Sequence, residues 1–331
     1  MQLHGLHHVT AVTGNAPGNL DFYTRVLGLR LVKKTVNQDD TSAYHLFYSD
    51  AKGTPGLDMT FFDWPRTGPD QRGTDAIVNT QFRVNGRAAL DYWADRFDRL
   101  GVWHGPIDRS WLGNDRAVLA FEDAEGQRLA LVDDGGAPAE TEAWPGAPGD
   151  AVPAEFALRG FHGVGLSVPR TDRVEPILSR VLGFQELDRR PHPTLPEQQM
   201  IVYGMDGGGP GREVTLVVEP DAPRAWLGRG GVHHVAFRLR DAEEQQRWAD
   251  YLLNAGVRHS GIIDRFYFKS LYFRISNGIL FELATDGPGF ASDEDPAHLG
   301  EALALPPFLE PRRAQIEAGL RPLETAPESG Q

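Results

Sequence analysis

The strongest constraint on this chain is that it repeats itself. Residues 5–13, GLHHVTAVT, read as a strand leading into NLDFYTRVLG, and residues 160–168, GFHGVGLSV, lead into RVEPILSRVLG. Both carry Arg-Val-Leu-Gly, at 25–28 and 180–183. His8 to Arg25 and Gly163 to Arg180 are each 17 residues apart, so the two segments align without a gap. A second pair behaves the same way. IVNTQFRV at 77–84 and VHHVAFRL at 232–239 share Phe-Arg, and each runs on to Trp-Ala-Asp, Gly-Val and Ile-Asp-Arg, with 14 residues from Asn79 to Trp93 and from His234 to Trp248.

The last copy shows the unit most clearly. A strand with period-two alternation is followed by AEEQQRWADYLLNAGV, whose Trp248, Tyr251 and Leu252 sit at helical spacing. Three strands follow, GIIDRFYF, SLYFRIS and, after Asn277-Gly278, GILFELAT. The expected class is therefore α+β: four βαβββ modules, roughly 4–66, 75–135, 158–220 and 229–288, forming two curled-sheet barrels. Along the chain this predicts an N-terminal domain at 1–135, a linker rich in Ala, Pro, Gly and acid at 136–157, a C-terminal domain at 158–290 and a tail at 291–331. The tail has short helical stretches broken by Pro306-Pro307 and is expected to pack over a barrel or a partner subunit, while TAPESGQ reads as disordered.

Composition narrows the chemistry. With 46 acidic against 33 basic residues, net charge −13, binding to nucleic acid or an anionic membrane is not expected. No stretch approaches the ~18 apolar residues of a membrane span, and MQLHGLHHVT lacks a secretory leader, so a cytoplasmic setting is the simplest expectation. There are no cysteines, which excludes disulfides, iron–sulfur clusters and thiolate catalysis; a metal would have to be held by His, Asp or Glu.

The repeat makes one such site visible. The first-strand position is His8, Asn79, Gly163 and His234 in modules one to four, and Glu282, an acid between Phe281 and Leu283, aligns with Ala130 of module two. A carboxylate inside an apolar strand costs several kcal/mol unless a cation lies beside it. Two histidines and one carboxylate with open positions is the ligand set of non-haem Fe(II) oxygenases. Alternation lets one histidine of each pair face the site. His8 and His234 are taken because the repeat aligns them, with His7 and His233 as the alternative. Because module three has Gly163 where a ligand would be needed, modules one and four are expected to share the metal-bearing barrel and modules two and three a metal-free one.

With LHHVTAV, GVHHVAFRL and ILFELATDG on four such modules, the chain resembles the vicinal oxygen chelate superfamily of glyoxalases, bleomycin-resistance proteins and extradiol dioxygenases. Within it, DRFYFKSLYFR and the tail PPFLEPRRAQIEAGL resemble the hydroquinone-type ring-cleaving dioxygenases. The resemblance implies Fe(II), or Mn(II), on His8, His234 and Glu282, and a small aromatic diol and O2 as substrates. It places Tyr272, Arg265 and His233 in catalytic roles and His7 and Thr10 against the substrate. Arg265 has the alternative of a plain ion pair with Asp264, and Tyr272 of strand packing. Rival activities are catechol cleavage, a glyoxalase-like isomerase and a metal-free resistance protein. A homo-oligomer is left open.

Overall fold

The computed structural model describes residues 1–109, 116–146, 151–193, 195–275 and 277–325. Each repeat folds as a strand, a helical crossover and a three-stranded meander. Module one contains β1 (Leu6–Thr13), β2 (Arg30–Val36), β3 (Tyr44–Ser49) and β4 (Asp58–Asp63). Module two contains β5 (Ala76–Val84), β6 (His104–Asp108), β7 (Val118–Glu122) and β8 (Arg128–Asp133). Module three contains β9 (Phe161–Val168), β10 (Gln185–Pro191), β11 (Gln199–Gly204) and β12 (Glu213–Val218), and module four β13 (Val232–Leu239), β14 (His259–Asp264), β15 (Lys269–Arg274) and β16 (Leu280–Thr285).

The crossovers differ. Module one has a short helix α1 (Ala16–Asp21) that widens into a π turn, Phe22–Val26, and module two has α2 (Gly86–Leu100). Module three has a π turn, Ile177–Val181, in its crossover, and module four has α3 (Ala242–Asn254). Pro176 stands directly before the module-three turn and cannot donate to an i−4 ladder. Thr24 Oγ1 donates to the Leu20 carbonyl at 2.6 Å in module one, competing with that ladder.

The strands form two eight-stranded sheets, ordered β14-β15-β16-β13-β1-β4-β3-β2 and β10-β11-β12-β9-β5-β8-β7-β6. Each sheet takes one module from each half of the chain. Modules one and four share the first, joined by the antiparallel pair β1–β13, as the split of His8 and His234 required. In the first sheet the fourth-module helix is tied down beside the site. Gln245, fully buried on α3, donates through Nε2 to the carbonyls of Lys269 (2.8 Å) and Leu283 (2.9 Å).

The tail packs on its own barrel. Leu303 bridges Lys34 on the edge strand β2, and Leu305, Leu309 and Ile316 cluster with Val36; Ile316 lies on a last helix, α4 (Arg313–Gly319). This covers an edge that would otherwise present unpaired backbone groups. Residues 326–331 of the expected disordered terminus lie outside the described residues. No helix among the described residues is long and apolar enough to cross a membrane.

Candidate metal centre

Register alone brings three polar side chains onto one patch. β1 pairs with β13 so that Thr10 lies opposite His234 and His8 opposite Ala236, and β16 places Glu282 beside Ala236. The same register identifies Thr60, Ala130 and Thr215 as the counterparts of Glu282 in modules one to three, none of them an acid. Glu282 Oε2 is 3.1 Å from His8 Nε2 and 2.9 Å from His234 Nε2, and the two Nε2 atoms are 3.3 Å apart. All three side chains are buried, Glu282 at 0 % exposure. Among the described residues, this is the one group of three or more such donors whose ligand atoms lie together, all within 4.8 Å of one another.

The carboxylate shows what the cluster lacks. Neither Glu282 oxygen has a partner in hydrogen-bond geometry, although both imidazoles lie within reach of Oε2. Burial pushes this carboxyl up, and positive charge at the cluster, on the imidazoles or on a cation in their place, is what holds it well below the usual glutamate range as an anion. A buried anion without hydrogen bonds costs several kcal/mol. Donor atoms that converge on a shared point rather than on each other's lone pairs fit a divalent cation, and two nitrogens with one carboxylate oxygen suit a first-row metal.

The neighbouring histidines prepare those nitrogens. His7 Nε2 lies 3.2 Å from the Thr285 carbonyl, which only accepts, so it carries the proton. Burial lowers the His7 pKa to about 3, keeping the ring neutral with a free lone pair on Nδ1. That lone pair, 3.0 Å from His8 Nδ1, requires the His8 proton there and leaves His8 Nε2 unprotonated toward the cluster. His233 and His234 repeat the Nδ1–Nδ1 contact at 2.7 Å.

A cavity of about 40 Å³ opens beside the cluster. His8, His234, Tyr272, Arg265 and Tyr267 line it, together with Phe47, Phe62 and Phe268. Tyr272 stands edge-on to the His234 ring at 5.7 Å, and burial, then the Glu282 charge, raises its pKa, so the phenol keeps its proton. Arg265 lies over the Tyr272 ring at 5.5 Å and is held by Asp39, not Asp264, through two bonds of 3.1 and 2.8 Å. Gln38 Nε2 donates to the Arg265 carbonyl at 2.8 Å, so the connection before β3 and the turn before β15 clasp each other in the cavity wall.

The remaining expected residues lie elsewhere. His7 is buried behind His8 with its nitrogens occupied as above, and Thr10 Oγ1 bonds Thr60 Oγ1 at 2.8 Å; neither lines this cavity. His233 faces a different cavity, bounded by the connections between modules. Among the cavity residues that had not been singled out, two bear on the chemistry. His45 on β3 is packed between Phe47 and Phe62, with centroids 4.0 and 4.5 Å away, and its Nε2 is 3.0 Å from Thr60 Oγ1. Asp39 is the second. Alternation along YHLFYS puts His45 on the Phe47 side of β3, which was the available signal.

The profile of the Glyoxalase/Bleomycin resistance protein/Dioxygenase superfamily matches residues 5–131 and 160–290, which is most of the chain. The protein belongs to that superfamily. Within the superfamily it is 46% identical to MhqA of Bacillus subtilis, named as a ring-cleaving dioxygenase, over 98% of this chain and all of the relative. It is 30% identical to the chlorohydroquinone/hydroquinone 1,2-dioxygenase of Sphingobium indicum over 93% of both chains. A crystal structure of a Bacillus subtilis protein described as a dioxygenase superposes with a TM-score of 0.87 at 35% identity, covering 98% of each chain. Maize glyoxalase I reaches a TM-score of 0.60 at 14% identity over 85% of this chain and 92% of the other, a likeness of fold alone.

Proposed function

We propose that this protein is a non-haem Fe(II)-dependent, extradiol-type dioxygenase that opens the ring of a substituted hydroquinone with O2. The observation that carries the reading is the buried His8–His234–Glu282 cluster, in a chain whose full-length relatives are named ring-cleaving dioxygenases. Mn(II) would suit the same donors, and a cytoplasmic setting belongs to the reading. When bound, the metal would pass electrons from a coordinated diol to O2.

The chain's own residues then have separate tasks. Tyr272, kept protonated, donates a hydrogen bond to the substrate oxygen next to His234. His45 is held well below the usual histidine range by burial, so its ring is neutral and can accept a hydrogen bond from the other hydroxyl. Arg265 supplies positive charge where the opening ring gains negative charge. The phenylalanine walls hold the ring and exclude water.

The cavity is too small for that ring in the clasped state. Cavities that admit benzene measure about 150 Å³, against about 40 Å³ here. Entry therefore requires the Arg265–Asp39 clasp to part. Arg265→Met should lower kcat by about 100-fold, in the range for loss of one charge-stabilising donor. Asp39→Ala, which frees the arginine without removing it, should leave kcat within a few-fold and change mainly KM. Equal kcat losses in both would assign the arginine a purely structural part. His45→Phe fills the same aromatic slot without a proton acceptor and should reduce kcat at least tenfold with the fold intact, as read by steady-state kinetics and circular dichroism.

The deciding experiment is oxygen uptake by anaerobically Fe(II)-loaded protein given methylhydroquinone and, separately, catechol. Uptake with the hydroquinone and a new ring-opened chromophore is expected. Uptake with catechol alone would reassign the substrate, and no uptake with either, at one bound iron per chain, would sink the dioxygenase reading.

A further inference from the structure

A second polar cavity, outside the metal centre, lies where the two sheets meet. The connection before β5 and the one before β13 run side by side, bridged at Pro69–Arg229, Gln71–Trp226 and Thr74–Arg224. Glycines let them approach. A Cβ on Gly73 would lie 2.1 Å from the Pro223 carbonyl oxygen, and one on Gly230 2.3 Å from that of Glu125. Between these connections, the start of β8 and the β15–β16 turn lies a cavity of about 250 Å³.

Its wall carries an excess of positive charge in a protein of net charge −13. Arg72, Arg128, Arg224 and Arg274 line it against Asp70 and Asp75. Arg72 is already engaged by Glu122 at 2.7 Å. Arg274 donates to the Gly278 carbonyl at 2.6 Å, and among the described residues Arg128, Arg224 and Arg274 have no carboxylate at ion-pair distance.

A second observation is independent of charge. Gln127 lines the same cavity at 1 % exposure, and neither its Nε2 nor its Oε1 has a partner; Asp75 Oδ1 is also buried without one. A buried amide left unmet on both ends is unfavourable, and this one lies in the cavity wall, where a polar ligand would meet it.

We propose that this cavity is a binding site for a small hydroxy-carboxylate, separate from the metal centre. The planar forks of Arg128 and Arg224 match a carboxylate edge-on. Gln127 offers one donor and one acceptor beside it, and Asp75 Oδ1 calls for a hydroxyl donor. Asp70 and Asp75 on the same wall oppose a compact dianion such as phosphate. At ~30 Å³ per water the space equals roughly eight waters, the size of a four- to six-carbon acid. Ring-opened acids of the kind the proposed reaction releases belong to this class, but the site does not depend on that reaction.

The test is isothermal titration calorimetry of the full-length, metal-loaded protein with L-malate, succinate and inorganic phosphate. Saturable binding of one malate per chain is expected, with succinate weaker for want of the hydroxyl and phosphate weaker still. Arg128→Met should weaken malate at least tenfold, and Arg224→Gln, an exposed position that cannot unfold the chain, at least threefold. Glu282→Gln should leave malate binding unchanged, because the metal centre takes no part. The proposal is overturned by the absence of saturable malate binding, by malate binding that neither arginine variant alters, by phosphate binding as tight as malate, or by malate binding lost in Glu282→Gln.

Discussion

Glu282→Gln is expected to abolish metal retention while leaving the fold in place. The replacement keeps the volume and removes the charge, so the two imidazole nitrogens face an amide instead of the carboxylate that completes the donor set. Bound metal should fall from one per chain to less than a tenth, and turnover by at least about 1000-fold, ten times the upper end of the loss typical for residues that only support ligands. Stability should split in a way a plain packing defect would not. Wild-type protein should gain about 2.7 kcal/mol from metal at 100 times its Kd, and the variant nothing. Without metal the variant should be about as stable as wild type, since the substitution keeps the volume and replaces a charge that burial disfavours with a neutral amide beside the same two imidazoles. Metal analysis and urea titrations with and without metal check both halves. A variant that keeps its metal would show that Glu282 is not a ligand.

Lys33→Met should have the largest effect on stability away from the metal. Lys33 is completely buried on β2, packs 4.6 Å over the Tyr267 ring, and reaches Asp293 at 2.7 Å and Glu294, both in the segment that begins the tail. Removing one partner from a fully buried pair typically costs about 3–5 kcal/mol; Asp293 and Glu294 keep some contact with water, so the cost here should fall at or below the lower end of that range. Asp293 also accepts the Tyr267 hydroxyl at 2.9 Å, so the loss reaches a wall of the cavity beside His8 and His234. The tail carries Phe290 against Phe47, and Phe268 of the same cluster packs 5.1 Å from the His8 ring. We expect a lower urea midpoint and early protease cleavage between 290 and 310. Adding Asp293→Asn and Glu294→Gln to Lys33→Met should restore part of the loss, and no recovery would mean that packing of the lysine stem dominates.

These two side chains also mark what sequence could and could not reveal. Internal repetition made the modules readable, and the placement of His8, Gly163 and His234 made the partnership of modules one and four readable, because a metal needs both histidines in one barrel. Glu282 was legible as an acid in an apolar strand. Lys33–Asp293 and Arg265–Asp39 join residues more than two hundred positions apart, and nothing in local periodicity announces such a pair. His45 was missed because its register counterpart in module four is Ser270, so the repeat that singled out His8 and His234 was silent there. The histidine doublets obeyed alternation only in part. Register shifts on either side of His8–Thr10 in the β1–β13 pair accompany side-by-side rings that bond through Nδ1, so one ring serves to orient the other.

The most direct test of the account is to run the Fe(II)-loaded enzyme on methylhydroquinone under oxygen-18 gas and weigh the product by mass spectrometry. The account predicts a ring-opened acid carrying both labelled atoms of one O2. A benzoquinone product without label, or an acid with a single labelled atom that does not exchange with water, would contradict it.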